Sequence, residues 1–263
     1  MKPDISEFSY GYALTEALMW DTGLPIEGAP MFPSLIQEGR EGGYDVGIQF
    51  QGLLLFLQFK LSHFMTRGTA FESKQGLLDI PFYRMHLRPT RHSRQHAMLL
   101  DLEATGEIAL YAAPKFHLPS ELNTAYLSRT MMQRSFFIRP STIGPLPDGL
   151  DHHLSFRDGY PVYLCSEPKE VRGEENSQTT FKELHDIIEH NEYKQYDAAV
   201  LGKIADQMFE IVLRHQISPW RANFDSENID DLQNMKPVEK LRYLSRSYFD
   251  CEPVVVKART KGE

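Results

Sequence analysis

Asp45, Gln58 and Lys60 are the residues of this chain whose types and spacing could do chemistry. Gln58 and Lys60 close an almost wholly apolar run, Leu53 to Leu57, and side chains two apart on a strand project to the same side. A run of that kind reads as a strand buried on both faces, and a lysine at its end is costly unless it has a partner or a job. A carboxylate, a second oxygen ligand and a lysine that converge at a sheet edge can hold Mg²⁺ and activate a water against a phosphodiester. Gln58 offers an amide oxygen, which ligates a hard cation but brings no negative charge.

These residues need elements to hold them. Residues 43–60 read as two strands joined by a tight turn near Gln51-Gly52, with Asp45 opening the first strand and Gln58 and Lys60 ending the second. Ser6 to about Trp20 reads as a helix with Ser6 as its N-cap, and it carries Glu16. Between them, Asp21 to Gly43 is a Gly- and Pro-rich loop whose Glu38 and Glu41 could supply the charge that Gln58 lacks. A helix from Ser93 to about Ala104 carries Gln95 and stops at Gly106, and a strand over Ile108 to Ala113 follows. A blander reading stays open: Asp45 as a turn residue after Gly42-Gly43, and Gln58 with Lys60 as a polar strand end meeting water.

The order helix, hairpin, helix, strand over residues 6–117 resembles the PD-(D/E)xK nuclease superfamily, restriction-endonuclease-like and RecB-like, in a Gln-x-Lys variant. Asp45 matches the metal-binding Asp, with Tyr44 where the motif has Pro. Gln58 matches the second acidic position and Lys60 the lysine. Gln95 with Leu99 is similar to the Gln-x-x-x-Tyr helix of the RecB-like branch, with Leu99 in place of Tyr. The resemblance implies an α/β fold with a restriction-endonuclease-like core, a central mixed sheet flanked by helices. It also implies a metal-dependent nuclease that hydrolyses phosphodiester bonds of DNA, RNA not excluded. Mg²⁺ or Mn²⁺ would be held by Glu16, Asp45 and Gln58. Lys60 would position the attacking water or neutralise charge on the phosphate, and Gln95 would orient substrate or metal-bound water. Proteins of this build commonly serve bacterial defence or restriction beside an ATPase or helicase, so the alternative is a non-catalytic, nuclease-like subunit that binds such a partner or nucleic acid. A third reading is a hydrolase of nucleotides or another phosphate ester.

Composition sets the bounds. The 263 residues suffice for one large domain or a core with an appended helical part. The net charge of −8 sits awkwardly with a free-standing nucleic-acid binder. Residues 84–96, however, hold four Arg and three His with no acid, and Arg88, Arg91 and Arg94 could hold a phosphate backbone there. No apolar run approaches the roughly 20 residues of a membrane helix. Cys165 and Cys251 lack zinc-type spacing and read as reduced thiols of a cytoplasmic protein. Lys115 and His117, at a strand end, could reach a phosphate. His152-His153 face opposite ways on a strand and make a poor chelating pair.

The domain reading is a nuclease-like core over 1–166, a polar linker over 167–180, and a helical region over 181–263 that packs on the core or on a partner. Pro119 precedes a helix that Ser120 would cap. Helices follow over Phe181 to His190, Ala198 to His215 and Pro237 to Tyr248, the second with a clean amphipathic stripe. Pro253 to Lys257 could add a last strand, and a homo-oligomer is left open.

Overall fold

The computed structural model describes residues 1–21, 50–89, 92–146, 149–165, 168–172, 194–216 and 232–257. Its backbone is β1, Phe50–Phe59, a ten-residue strand that runs straight through Gln51-Gly52. The turn expected there does not form. Gly52 instead pairs on both edges: with Lys257 of β10, Glu252–Lys257, and with Lys194 of β9, Lys194–Tyr196. From Leu55 onward the β9 edge passes to β4, Ile108–Pro114, parallel to β1. Where β9 gives way to β4, the Leu54 amide donates to the Tyr196 hydroxyl, so a buried donor is not left unpaired. β5, Ser135–Ile138, pairs antiparallel with β4 and completes a mixed five-stranded sheet, β10-β1-β4-β5 with β9 beside β1.

Alternation along β1 decides which helix lies on which face. Leu53, Leu55 and Leu57 face α1, Glu7–Asp21, through Tyr10, Leu14 and Leu18. Leu54 and Phe56 face the opposite core, built by α3, Gln95–Ala104, and α6, Ala198–Gln216. Ser6 caps α1 as expected, its hydroxyl accepting the Ser9 amide. The expected stripe of α6 is the buried one: Leu201, Ile204, Ala205, Met208, Phe209 and Val212 lie in that core. α7, Pro237–Ser247, packs on α6 and leads into β10, with Arg246 forking onto Glu252. The chain's C-terminal part is therefore woven into the central sheet.

A second sheet was not foreseen. β2, Ser62–Met65, follows β1 directly and pairs with β3, Phe82–Leu87. β6, His152–Phe156, β7, Val162–Leu164, and β8, Lys169–Arg172, extend it in the order β2-β3-β6-β7-β8, all antiparallel. Residues 62–76 hold β2 and the short α2, Phe71–Lys74, and part of the expected linker is β8. α4, Pro119–Leu127, starts one residue earlier than its expected cap, and the short α5, Pro140–Ile143, follows β5. Pro119 takes the first helical position, and the Glu121 carboxylate accepts the amides of His117 and Leu118. Asp45 with its strand, Glu38, Glu41, Arg91 and the helix expected over 181–190 lie outside the described residues.

α1 comes close to β1 at Gly11. A Cβ there would stand 2.6 Å from Phe59 Cδ2, a ring packed edge-on against Tyr10. Gly11→Ala gains about 1 kcal/mol of helix propensity but overpacks the interface at roughly 1–3 kcal/mol. The expected result is a net loss of about 1 kcal/mol in urea unfolding. A stabilised variant would show that the ring moves aside freely.

Candidate functional site

Lys60 follows the last residue of β1, and its amide continues the parallel ladder by donating to the Ala112 carbonyl at 2.9 Å. Its side chain is 8 % exposed. Two residues back, Gln58 projects to the same face, into the core shared with α3. Gln95, the first residue of α3, is placed above them by the packing of Met98, Leu99 and Leu102 on that core. Lys60 Nζ donates to Gln95 Oε1 at 3.5 Å, and Gln95 Nε2 donates to the Phe249 carbonyl at 3.3 Å. The structure thus brings together Lys60 and Gln95, which the sequence singles out, with Gln58 two residues along the same strand face. Leu99 is a core residue with no polar role.

A residue that the sequence reading missed completes this group. Asp250 Oδ2 lies 3.8 Å from Lys60 Nζ, its side chain 52 % exposed. Asp250 sits at the turn from α7 into β10 with φ 50°, a left-handed conformation that Asp and Asn tolerate better than most side chains. Because β10 pairs antiparallel with β1, the start of β10 meets the end of β1. A carboxylate remote in sequence is thereby delivered beside the lysine. Burial lowers the Lys60 pKa and Arg88 adds to the effect, while Glu7 at the start of α1 and Asp250 oppose it.

The Gln58 amide is the unusual group. It is fully buried, and neither Oε1 nor Nε2 has a hydrogen-bond partner among the described residues. Leaving a buried polar group unpaired costs about 1–3 kcal/mol. Such a group next to a half-satisfied lysine is a feature that a ligand would complete.

Glu16 does not join them. It lies on α1, across the sheet from Gln58 and Lys60, and its carboxylate accepts the Tyr126 hydroxyl of α4. The apolar residues of α1 choose that face, and among the described residues the negative charges that act on Lys60 are those of Glu7 and Asp250. The basic run 84–96 is also partly consumed by the fold. Arg84 forks onto Glu72, and Arg94 Nη1 donates to the His215 carbonyl near the end of α6. His96 is buried between the Tyr111 hydroxyl and the Gly144 carbonyl. Arg88 stays exposed and electrostatically coupled to Lys60. Lys115 pairs with Asp158, and His117 is buried, stacked on Phe64.

Comparison with protein-family models, with curated proteins and with solved structures returns no match. Among the described residues, no helix is long and apolar enough to cross a membrane.

Proposed function

We propose that the chain is a metal-dependent phosphodiester hydrolase acting on DNA, with a restriction-endonuclease-like core and its working groups at the end of β1. The observation that carries this reading is the buried Lys60 ammonium, placed between Gln95 and Asp250 at the mouth of a strand that also holds the unpaired Gln58 amide. The donor set is hard: an amide oxygen at Gln58, a carboxylate at Asp250, and Asp45 by resemblance. It fits Mg²⁺ or Mn²⁺, which take oxygen ligands. When bound there, the ion would supply charge stabilisation on the phosphate oxygens and a water of lowered pKa.

The chain's own residues do the rest. Lys60 presents a charged donor to the phosphate or to the attacking water. In a site shielded from solvent such a donor acts more strongly than in water. Gln95, anchored on the Phe249 carbonyl, holds the Lys60 ammonium in direction. Arg88 stands exposed beside it, suited to a neighbouring phosphate.

The test is nicking of supercoiled plasmid with Mg²⁺, Mn²⁺ or chelator, wild type beside Asp250→Asn. Asn keeps the left-handed turn and removes the charge, so the fold is expected to stay intact. The expected outcome is metal-dependent nicking with the metal concentration for half activity raised at least about tenfold in the variant, as for loss of one charged ligand contact. Unchanged metal dependence would remove Asp250 from the site. A wild type inert with every metal would favour the alternative, a nuclease-like subunit that binds an ATPase, a helicase or nucleic acid.

A further inference from the structure

The second sheet carries a donor cluster of a different chemical kind. Glu72 of α2, His153 of β6 and Cys165, the residue after β7, each offer one ligand atom, and these atoms lie within 4.8 Å of one another. The pairing of β6 with β7 sets the frame, and the Cys165 amide donates to the His153 carbonyl at 2.9 Å. Glu72 is fully buried. Its carboxylate accepts Arg84 Nε at 3.0 Å, Arg84 Nη2, the Ser155 hydroxyl and His153 Nε2 at 3.1 Å. Arg84 and Ser155 thus fix its orientation in the way that outer partners fix ligating carboxylates.

The geometry points to a site for a borderline divalent transition ion of the zinc class, held by Glu72, His153 and Cys165 with a water in the fourth position. Sulfur, imidazole nitrogen and carboxylate oxygen together are what such an ion takes, and a hard ion such as Mg²⁺ is poorly served by them. Metal–ligand bonds of about 2.0–2.3 Å put tetrahedral donors roughly 3.3–3.8 Å apart, so Glu72 and His153, at 3.1 Å, already stand near that spacing, and a pair at the 4.8 Å limit needs to close by about 1 Å. The surroundings permit a cation. The Arg84 charge is balanced by Glu72. The side chains of Arg84 and His153, each 18 % exposed, leave a way in.

The proton count is simple. Coordination deprotonates the Cys165 thiol outright. One proton goes to solvent. His153 binds through a ring nitrogen that carries no proton, while its other ring nitrogen carries one. The ion would fasten α2, β6 and the end of β7 at one point, independently of the Lys60 site.

The test is titration of chelator-stripped full-length protein with Co²⁺. The expected result is one equivalent bound, with a thiolate-to-cobalt charge-transfer band and the strong visible bands of a four-coordinate ion. Zn²⁺ should displace it and excess Mg²⁺ should not. Cys165→Ser and His153→Gln should lose the band, while Cys251→Ser and Asp250→Asn keep it. Ser155→Ala should bind about 10–100-fold more weakly. No charge-transfer band in the wild type, or a band that survives in Cys165→Ser, would overturn the site whatever the variants' stability, and neither outcome bears on phosphodiester cleavage.

Discussion

Lys60→Ala is expected to lower metal-dependent plasmid nicking by at least about 100-fold, the range for loss of one preorganised donor to developing charge. The magnitude follows from where the ammonium sits. On a side chain only 8 % exposed, it has given up most of its hydration. In return it has a long hydrogen bond to Gln95 and an ion pair with a half-exposed Asp250. Those partners compensate only partly, which is why burial still depresses its pKa. The folded protein holds this proton less tightly than the unfolded chain. The charged lysine therefore costs stability at neutral pH, and the cost fades as pH rises from the lowered pKa toward the ordinary lysine value of about 10.4. Lys60→Met, which keeps the stem and removes the charge, should melt no lower than wild type at pH 7 while being equally inactive. That pairing separates a working lysine from a structural one, because a structural lysine would lose stability when replaced. Activity should also decline with rising pH earlier than an ordinary lysine would dictate, as Lys60 surrenders its proton. A Lys60→Met protein that nicks plasmid at the wild-type rate would end the hydrolase reading.

The part of this site that sequence reveals is the part set by local periodicity. Gln58 and Lys60 share a face because strand side chains alternate, and Gln95 opens a helix whose apolar residues pack on that same face. What escapes a sequence reading is set by pairing between distant segments. Gln51-Gly52 has the composition of a turn, yet it lies in a strand because β9 and β10 supply partners on both edges. Asp250 carries no motif. It reaches Lys60 only because β10 pairs antiparallel with β1. Glu16 had the right residue type on a real helix, but Tyr10, Leu14 and Leu18 seat that helix on the other side of the sheet. The second sheet was opaque for a related reason. Its strands are three to six residues long, and their shared polar face is completed by Glu72 from a helix of four residues.

Glu72→Ala is expected to be the most destabilising single change in the second sheet, at about 3–5 kcal/mol, the range for removing one partner of a buried charge pair. The carboxylate is fully buried and binds three side chains, Arg84, His153 and Ser155. Its removal strands a guanidinium that is only 18 % exposed and a wholly buried hydroxyl. At the entropy of unfolding of a chain this size, the loss corresponds to a melting temperature lower by on the order of 10 °C. Replacing both Glu72 and Arg84 by methionine should recover much of it, because the penalty belongs to the orphaned charge rather than to the missing attraction. Acid tells the same story. Burial alone would raise the Glu72 pKa, but the His153, Arg84 and Ser155 hydrogen bonds outweigh it and hold the carboxyl well below the usual carboxylate range. The stability it contributes is thus complete above the unfolded value of 4.5 and is lost as pH falls below it. Wild type should lose stability over that window, while Glu72→Ala, already without the clamp, should lose correspondingly less. The two sites then respond oppositely. Lys60→Met should be inactive at undiminished stability, whereas Glu72→Ala should melt early and keep metal-dependent nicking at temperatures where it is still folded. A Glu72 variant as stable as wild type would mean that α2 is held to the sheet by something other than its carboxylate.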